Sequence, residues 1–236
     1  MIESATRADL DELPREPAYR KLQRIVFAAC MFLGPLIVAV GIAIAPSIGG
    51  SGGRAVIAAV TRLPDRAQLE ATLSVPGLIL LPLAFLGLAR LAMRRSPWLA
   101  TLGGGLALVG WATWPAFVIQ DTMTNLMAQM GGGAQFATLW ERLNSSPVYN
   151  GILLVYIVGH VMGTLLLGLA LGRARVIPIW AAAAIALYSP LQVIAFPTGN
   201  RFLADVAYGL LVIGCSAAAY ATLTRRDERQ ASPAGS

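Results

Sequence analysis

Apolar residues run along this chain in long blocks, not in the short alternations of strands or the narrow stripes of surface helices. Six such blocks, at about 25–45, 72–93, 98–119, 151–172, 177–196 and 202–223, are each near twenty residues long and nearly free of Asp, Glu, Lys and Arg. That length spans roughly 30 Å of hydrocarbon as a helix. The pattern predicts an all-α polytopic membrane protein: one bundle of six transmembrane helices, flanked by polar tails over 1–24 and 224–236. The first tail ends in EPAYRKLQR, which reads as a short interfacial helix. The AIAP that closes the first block resembles a cleavage site, but the apolar run is too long for a signal peptide and acidic residues precede it, so the helix is retained.

The connections differ in kind. RRSP at 94–97 and the basic turn 173–175 are tight hairpins, each leading to a proline at or near the start of the next helix, where its missing N–H costs nothing. SIGGSGG is a flexible connector, and RAVIAAVTRLPDRAQLEA predicts a short surface helix and a turn. The segment 120–149 is too long for a mere connector. DTMTNLMAQM places Met123, Met127 and Met130 on one face, GGG breaks it, and AQFATLWERLN resumes an amphipathic pattern. Two short helices, lying on the outer surface or lidding a vestibule, are expected here.

Charge sets the orientation. With the N-terminus inside, thirteen of the eighteen basic residues fall in cytoplasmic segments and five in outer ones, a positive-inside bias that puts both termini in the cytoplasm. The net charge of +6 therefore reports topology and implies no nucleic-acid partner. The composition, 56% hydrophobic and 13% charged against about 25% charged in soluble domains, agrees. Cys30 and Cys215 lie inside apolar blocks and read as small core side chains.

A shift of 81 residues superposes LGLA at 86–89 on LGLA at 167–170, Arg94 on Arg175, Pro97 on Pro178 and Ala100 on Ala181. Either spans two and three were duplicated as spans four and five, or two hairpins converged on one design.

An ionisable group inside the membrane is a functional candidate by default, since it must face protein or water. His160 is the only histidine and sits near the centre of GILLVYIVGHVMGTLLLGLALG. Tyr156 lies one turn away on the same face, within reach of a Tyr–His hydrogen bond. Gly159 and Gly163 form a GxxxG pattern that admits a neighbouring helix closely. His160 is then either a ligand-binding or proton-coupled group, or a neutral ring bonded to a carbonyl or hydroxyl of another helix. A lone histidine excludes bis-histidine haem and zinc sites with two or three histidines. No acidic residue is expected at midplane depth to pair with it. No nucleotide, hydrolase or metalloprotease fingerprint occupies a credible position, LGGGL at 102–106 reads as a packing surface, and neither a metal nor a cofactor is expected.

A polar group gathers at the outer helix ends: Gln120, Asp121, Asn150, Gln192, Asn200, Arg201 and Asp205, the last spaced four residues from Arg201 as an ion pair would be. Pro76, Pro82, Pro115, Pro190 and Pro197 all fall in outer halves of spans, with Pro35 near the middle of the first. Each removes a helix hydrogen bond, and the freed carbonyls must face protein or a wet cavity. The outer half is thus expected to splay into a vestibule lined by Trp111, Trp114, Tyr188 and Gln192 and leading down to Tyr156 and His160.

The run from His160, HVMGTLLLGLALGRARVIPIWAAAAIALYSPLQ, resembles six-span bacterial integral membrane proteins grouped as a domain of unknown function. In these a histidine precedes a Leu/Gly-rich half-helix, a basic turn, a proline and a fifth span. The resemblance implies a six-span layout in the bacterial cytoplasmic membrane and brings no activity or cofactor. Three functions stay open: a small transporter or ligand-binding membrane protein; a non-catalytic accessory or sensor subunit; and an intramembrane enzyme acting on a lipid or quinone with His160 as base. The expected surroundings are the lipid bilayer, with a second copy or a membrane partner protein and an unspecified small molecule as candidate partners.

Overall fold

A computed structural model describes residues 18–49 and 52–224. Most of the expected N-terminal tail and all but Thr224 of the C-terminal one lie outside the described residues. Nine helices and no strand occur among the described residues: α1 Ala18–Ile44, α2 Gly53–Arg62, α3 Pro64–Met93, α4 Pro97–Ala112, α5 Trp114–Gln129, α6 Ala134–Asn144, α7 Pro147–Ala174, α8 Ile179–Thr198 and α9 Arg201–Thr224. Counting α4–α5 as one span over Pro97–Gln129, six are long and apolar enough to cross a membrane. The protein is a multipass, all-α membrane protein.

Local chemistry sets the boundaries. Pro64, Pro97 and Pro147 open α3, α4 and α7, with φ already fixed for a helix. Arg175 and Gly199 end α7 and α8 in the left-handed conformation, the usual helix stop. The third span breaks at Thr113, because Pro115 offers no N–H to the preceding turn. There the Thr113 hydroxyl donates to the Gly110 carbonyl (2.7 Å).

The spanning helices pack in the order α1, α3, α4, α7, α8, α9, and α9 closes the ring against α1. Backbone meets backbone along α4 and α7. A Cβ added to Gly163 would lie 2.4 Å from Ala107 N, and one added to Gly110 would lie 2.4 Å from His160 N. Gly103 of LGGGL meets Gly163 and Leu167, and Gly159 meets Gly110. At the end bearing the basic turns, Arg95 Nη1 donates to Ala174 O (3.3 Å) and joins the two hairpins. The last residues of α3 and α7, Met93 and Ala174, carry the same 81-residue offset as the repeated LGLA.

Two elements run further than their apolar blocks. The second span starts at Pro64, about two turns before residue 72, and absorbs the DRAQLEA segment expected to be surface. The third continues through Gln129, so the first half of 120–149 is not a separate surface helix; α6 alone is. The reason is shared: Glu70 and Asp121 interrupt the apolar runs yet both line one cavity, where a charged side chain need not face lipid. These extensions, with α2 and α6, form a small cap with its own core of Ile57, Val60, Ala67, Met127, Ala128 and Ala137. The methionine stripe is split by this packing: Met127 is in the cap core while Met123 and Met130 are exposed.

Candidate functional site

Beneath the cap, at the end of the bundle opposite the basic turns, a cavity of about 470 Å³ lies between α1, α3, α5, α7, α8 and α9. Its size suits a small molecule. Val56 of α2 and Trp140 and Asn144 of α6 contribute to its lining from the cap. A chain of hydrogen bonds ties roof to wall. The Tyr149 hydroxyl donates to Gln120 Oε1, Gln120 Nε2 donates to Asn144 Oδ1 (3.1 Å), and Asn144 Nδ2 donates to the Trp140 carbonyl (2.9 Å). Three helices, α7, α5 and α6, are thereby latched at one place.

The walls are aromatic: Trp114, Phe117, Trp140, Tyr149, Tyr156 and Tyr208 all contribute. Phe117 packs edge-on against both Tyr149 and Tyr156, at centroid distances of 5.8 and 5.1 Å. Among the described residues, the charged side chains lining the cavity are both acidic, Glu70 of α3 and Asp121 of α5. The two are electrostatic neighbours, and Arg201 is the other charged neighbour of Glu70. The guanidinium of Arg201 is committed elsewhere. It donates to the carbonyls of Ile42 (3.1 Å), Ala43 (3.2 Å) and Ala45, satisfying the orphan acceptors at the C-terminal end of α1.

The floor is a polar bridge. Gln192 Nε2 donates to the hydroxyls of Tyr156 (3.3 Å) and Tyr208 (3.0 Å), joining α7, α8 and α9. Gln192 Oε1 has no partner, although the residue is only 6% exposed.

His160 lies one turn below this floor and does not line the cavity. It is wholly buried. Tyr156 stacks on its ring at 5.0 Å and 23°, while Trp111 and Tyr188 meet it edge-on at 5.1 and 5.2 Å. The Tyr156–His160 relation is therefore a stack: Tyr156 Oη is the acceptor from Gln192. The Nε2 atom of His160 is bonded across helices to Ser189 Oγ (3.0 Å), which in turn bonds Thr164 Oγ1. Thr164 Oγ1 donates to the His160 carbonyl (2.8 Å). His160 Nδ1 has no partner.

A serine bonded to a histidine is the pairing of an activated nucleophile. Here both side chains are fully buried, and nothing orients Nδ1 as the third member of a triad would. The pair is built as a cross-link between α7 and α8.

Of the residues singled out in the sequence, the structure thus brings Tyr156, Gln192, Trp114, Asp121 and Gln120 together around the cavity. Trp111, Tyr188 and His160 form the packed layer beneath it. Arg201 caps α1. Asp205 is exposed on α9 and makes no ion pair among the described residues. Asn150 is exposed and donates to the Ser146 carbonyl (3.1 Å), and Asn200 Oδ1 accepts from Leu203 N at the start of α9 (3.0 Å).

Glu70, Phe117, Trp140, Tyr149 and Tyr208 were not among those candidates. The signal for Glu70 was present: Pro64 is a good first helical residue, and no breaker lies between it and the apolar run. A second, more open depression between α3 and α5, of about 500 Å³, has no charged residue in its lining. No group of three His, Cys, Asp or Glu side chains able to hold a metal ion occurs among the described residues. No protein family, curated protein or solved structure matches the chain.

Proposed function

We propose that this is a small-molecule-binding membrane protein, transporter-like in layout, whose vestibule faces the outer side of the bacterial cytoplasmic membrane. It fits the six-span proteins of unknown function that its His160–Gln192 region resembles. The observation that supports this best is the aromatic, acid-bearing cavity held between the bundle and its cap, with its polar floor of Tyr156, Gln192 and Tyr208. Its orientation follows from the basic turns at the opposite end, which the positive-inside rule assigns to the cytoplasm. Ligand would enter from the cap side and rest on the Gln192 bridge; His160 holds that floor in place without meeting the ligand.

Ser74 lines the cavity and is a near-isostere of cysteine. Ser74→Cys, in a chain with Cys30→Ala and Cys215→Ala, should react with a membrane-impermeant maleimide applied to the outer side of intact cells. The unaltered protein, whose two cysteines are both buried, is the control. Labelling only after the inner side is exposed would reverse the orientation, and no labelling from either side would remove the vestibule.

A further inference from the structure

Resting on the ligand-binding reading above, we propose that the cavity selects a small organic cation: a protonated amine on an apolar, preferably aromatic, body. Its ammonium sits among the carboxylates of Glu70 and Asp121 and the free oxygen of Gln192.

Three independent features converge on this. The first is charge. The chain has eighteen basic and twelve acidic residues, yet the charged side chains lining the cavity are both acidic among the described residues. Neither carboxylate has a hydrogen bond or ion pair there, and the nearby guanidinium of Arg201 is occupied by three carbonyls of the α1 end. Two carboxylates brought together with their acceptor capacity unused form a site for a donor-rich cation.

The second feature is Gln192. Its amide nitrogen is fully used by Tyr156 and Tyr208, which fixes the side chain and leaves Oε1 as a buried acceptor without a donor. A buried unpaired acceptor is costly unless something donates to it. Tyr208, which Gln192 bonds, is itself an electrostatic neighbour of Glu70, so this oxygen and the Glu70 carboxylate belong to one locality. The third is the wall. Trp114, Phe117 and Tyr156 line the cavity, and aromatic rings attract a cation through their quadrupoles and cover an apolar body. An anion would meet two carboxylates, and a neutral molecule would leave them unpaired.

The test uses the full chain in nanodiscs of phosphatidylglycerol, which contribute no amine. Tryptamine, neutral tryptophol and anionic indole-3-propionate share one body and differ in charge. Thermal unfolding and equilibrium binding should show saturable binding of tryptamine, at least about tenfold tighter than either analogue. Glu70→Gln and Asp121→Asn should each weaken tryptamine by about tenfold or more without weakening tryptophol, so that the preference for the cation narrows.

Adding phosphatidylethanolamine asks whether a lipid headgroup is the natural source of the ammonium. Competition with tryptamine would assign it to the lipid and its absence to a soluble amine, and both presuppose the cation site. Equal binding of tryptophol and tryptamine would overturn the cation proposal while leaving the ligand-binding reading intact. Failure of tryptamine to bind a chain whose Ser74→Cys variant still labels from outside would do the same. If one carboxylate variant fails to fold, the other and the charge series on the unaltered protein still decide.

Discussion

At the scale of single residues, the hydroxyls around His160 determine where its proton sits. Thr164 has one hydroxyl hydrogen and spends it on the His160 carbonyl. Ser189 must then donate to Thr164, which leaves Ser189 Oγ as acceptor toward His160 Nε2. The ring is therefore protonated at Nε2, and Nδ1 carries a bare lone pair. The opposite order would give up the Thr164–carbonyl bond and bury an unpaired N–H at Nδ1. A terminating chain of donors, His160 to Ser189 to Thr164 to backbone, is how an apolar bundle keeps an imidazole without a carboxylate partner. Removing its middle member should be expensive. Ser189→Ala leaves the Nε2 proton buried with no acceptor, and a loss of about 1–3 kcal/mol is expected. Equilibrium unfolding in mixed micelles measures it. A change below a few tenths of a kcal/mol would mean that the ring finds another partner and that Ser189 is no cross-link.

At the scale of helices, close approach is decided by which glycines face a backbone. Gly163 is one: its added Cβ would sit 2.4 Å from Ala107 N and 2.6 Å from Ala107 Cα. Backbone cannot rotate aside as a flexible side chain can, so α4 and α7 would have to part. Gly209, on α9, meets nothing within 4 Å. Gly163→Ala should therefore destabilise by about 1–3 kcal/mol through overpacking. Gly209→Ala should be neutral or stabilise by up to about 1 kcal/mol through helix propensity. Thermal unfolding of the pair in one detergent checks the contrast, and equal effects would deny α4–α7 its role as the tight seam. These seams were legible in the sequence because glycine spacing follows the helix period. The helix ends around the cavity were legible only in part, with Pro64 marking the start of α3. Glu70 and Asp121 cut the apolar blocks short, and only the fold reveals that they line a cavity, where charge is tolerated. Tyr156 and Gln192 could be placed near each other in depth from their positions along two spans. The bridge from Gln192 to Tyr208 could not, because nothing local in α8 states which neighbour closes the ring.

At the scale of the whole molecule, two cores with different duties share one chain. The bundle core is tightly packed around Phe85, Trp111, Tyr188 and Leu211, all fully or nearly fully buried. The cap core is six small to medium side chains contributed by α2, α6 and the projecting ends of α3 and α5, held to the bundle near the cavity by the Tyr149–Gln120–Asn144 chain. A small core with few apolar contacts opens at lower free energy than a large one, so any exchange between the cavity and the outside falls to the cap and not to the ring of helices. That division sets a prediction at this scale. Tyr149→Phe keeps the ring against Phe117 and deletes only the hydroxyl that starts the latch. It should raise the rate at which maleimide reaches Ser74→Cys by about fivefold to tenfold, corresponding to the roughly 1 kcal/mol net worth of one hydrogen bond. It should leave the thermal midpoint of the bundle within a few degrees of its parent. A labelling rate that does not move would place entry somewhere other than the α6 side. A large loss of thermal stability with no change in labelling would make the chain a structural tie of the bundle, and the cap would then be a fixed roof.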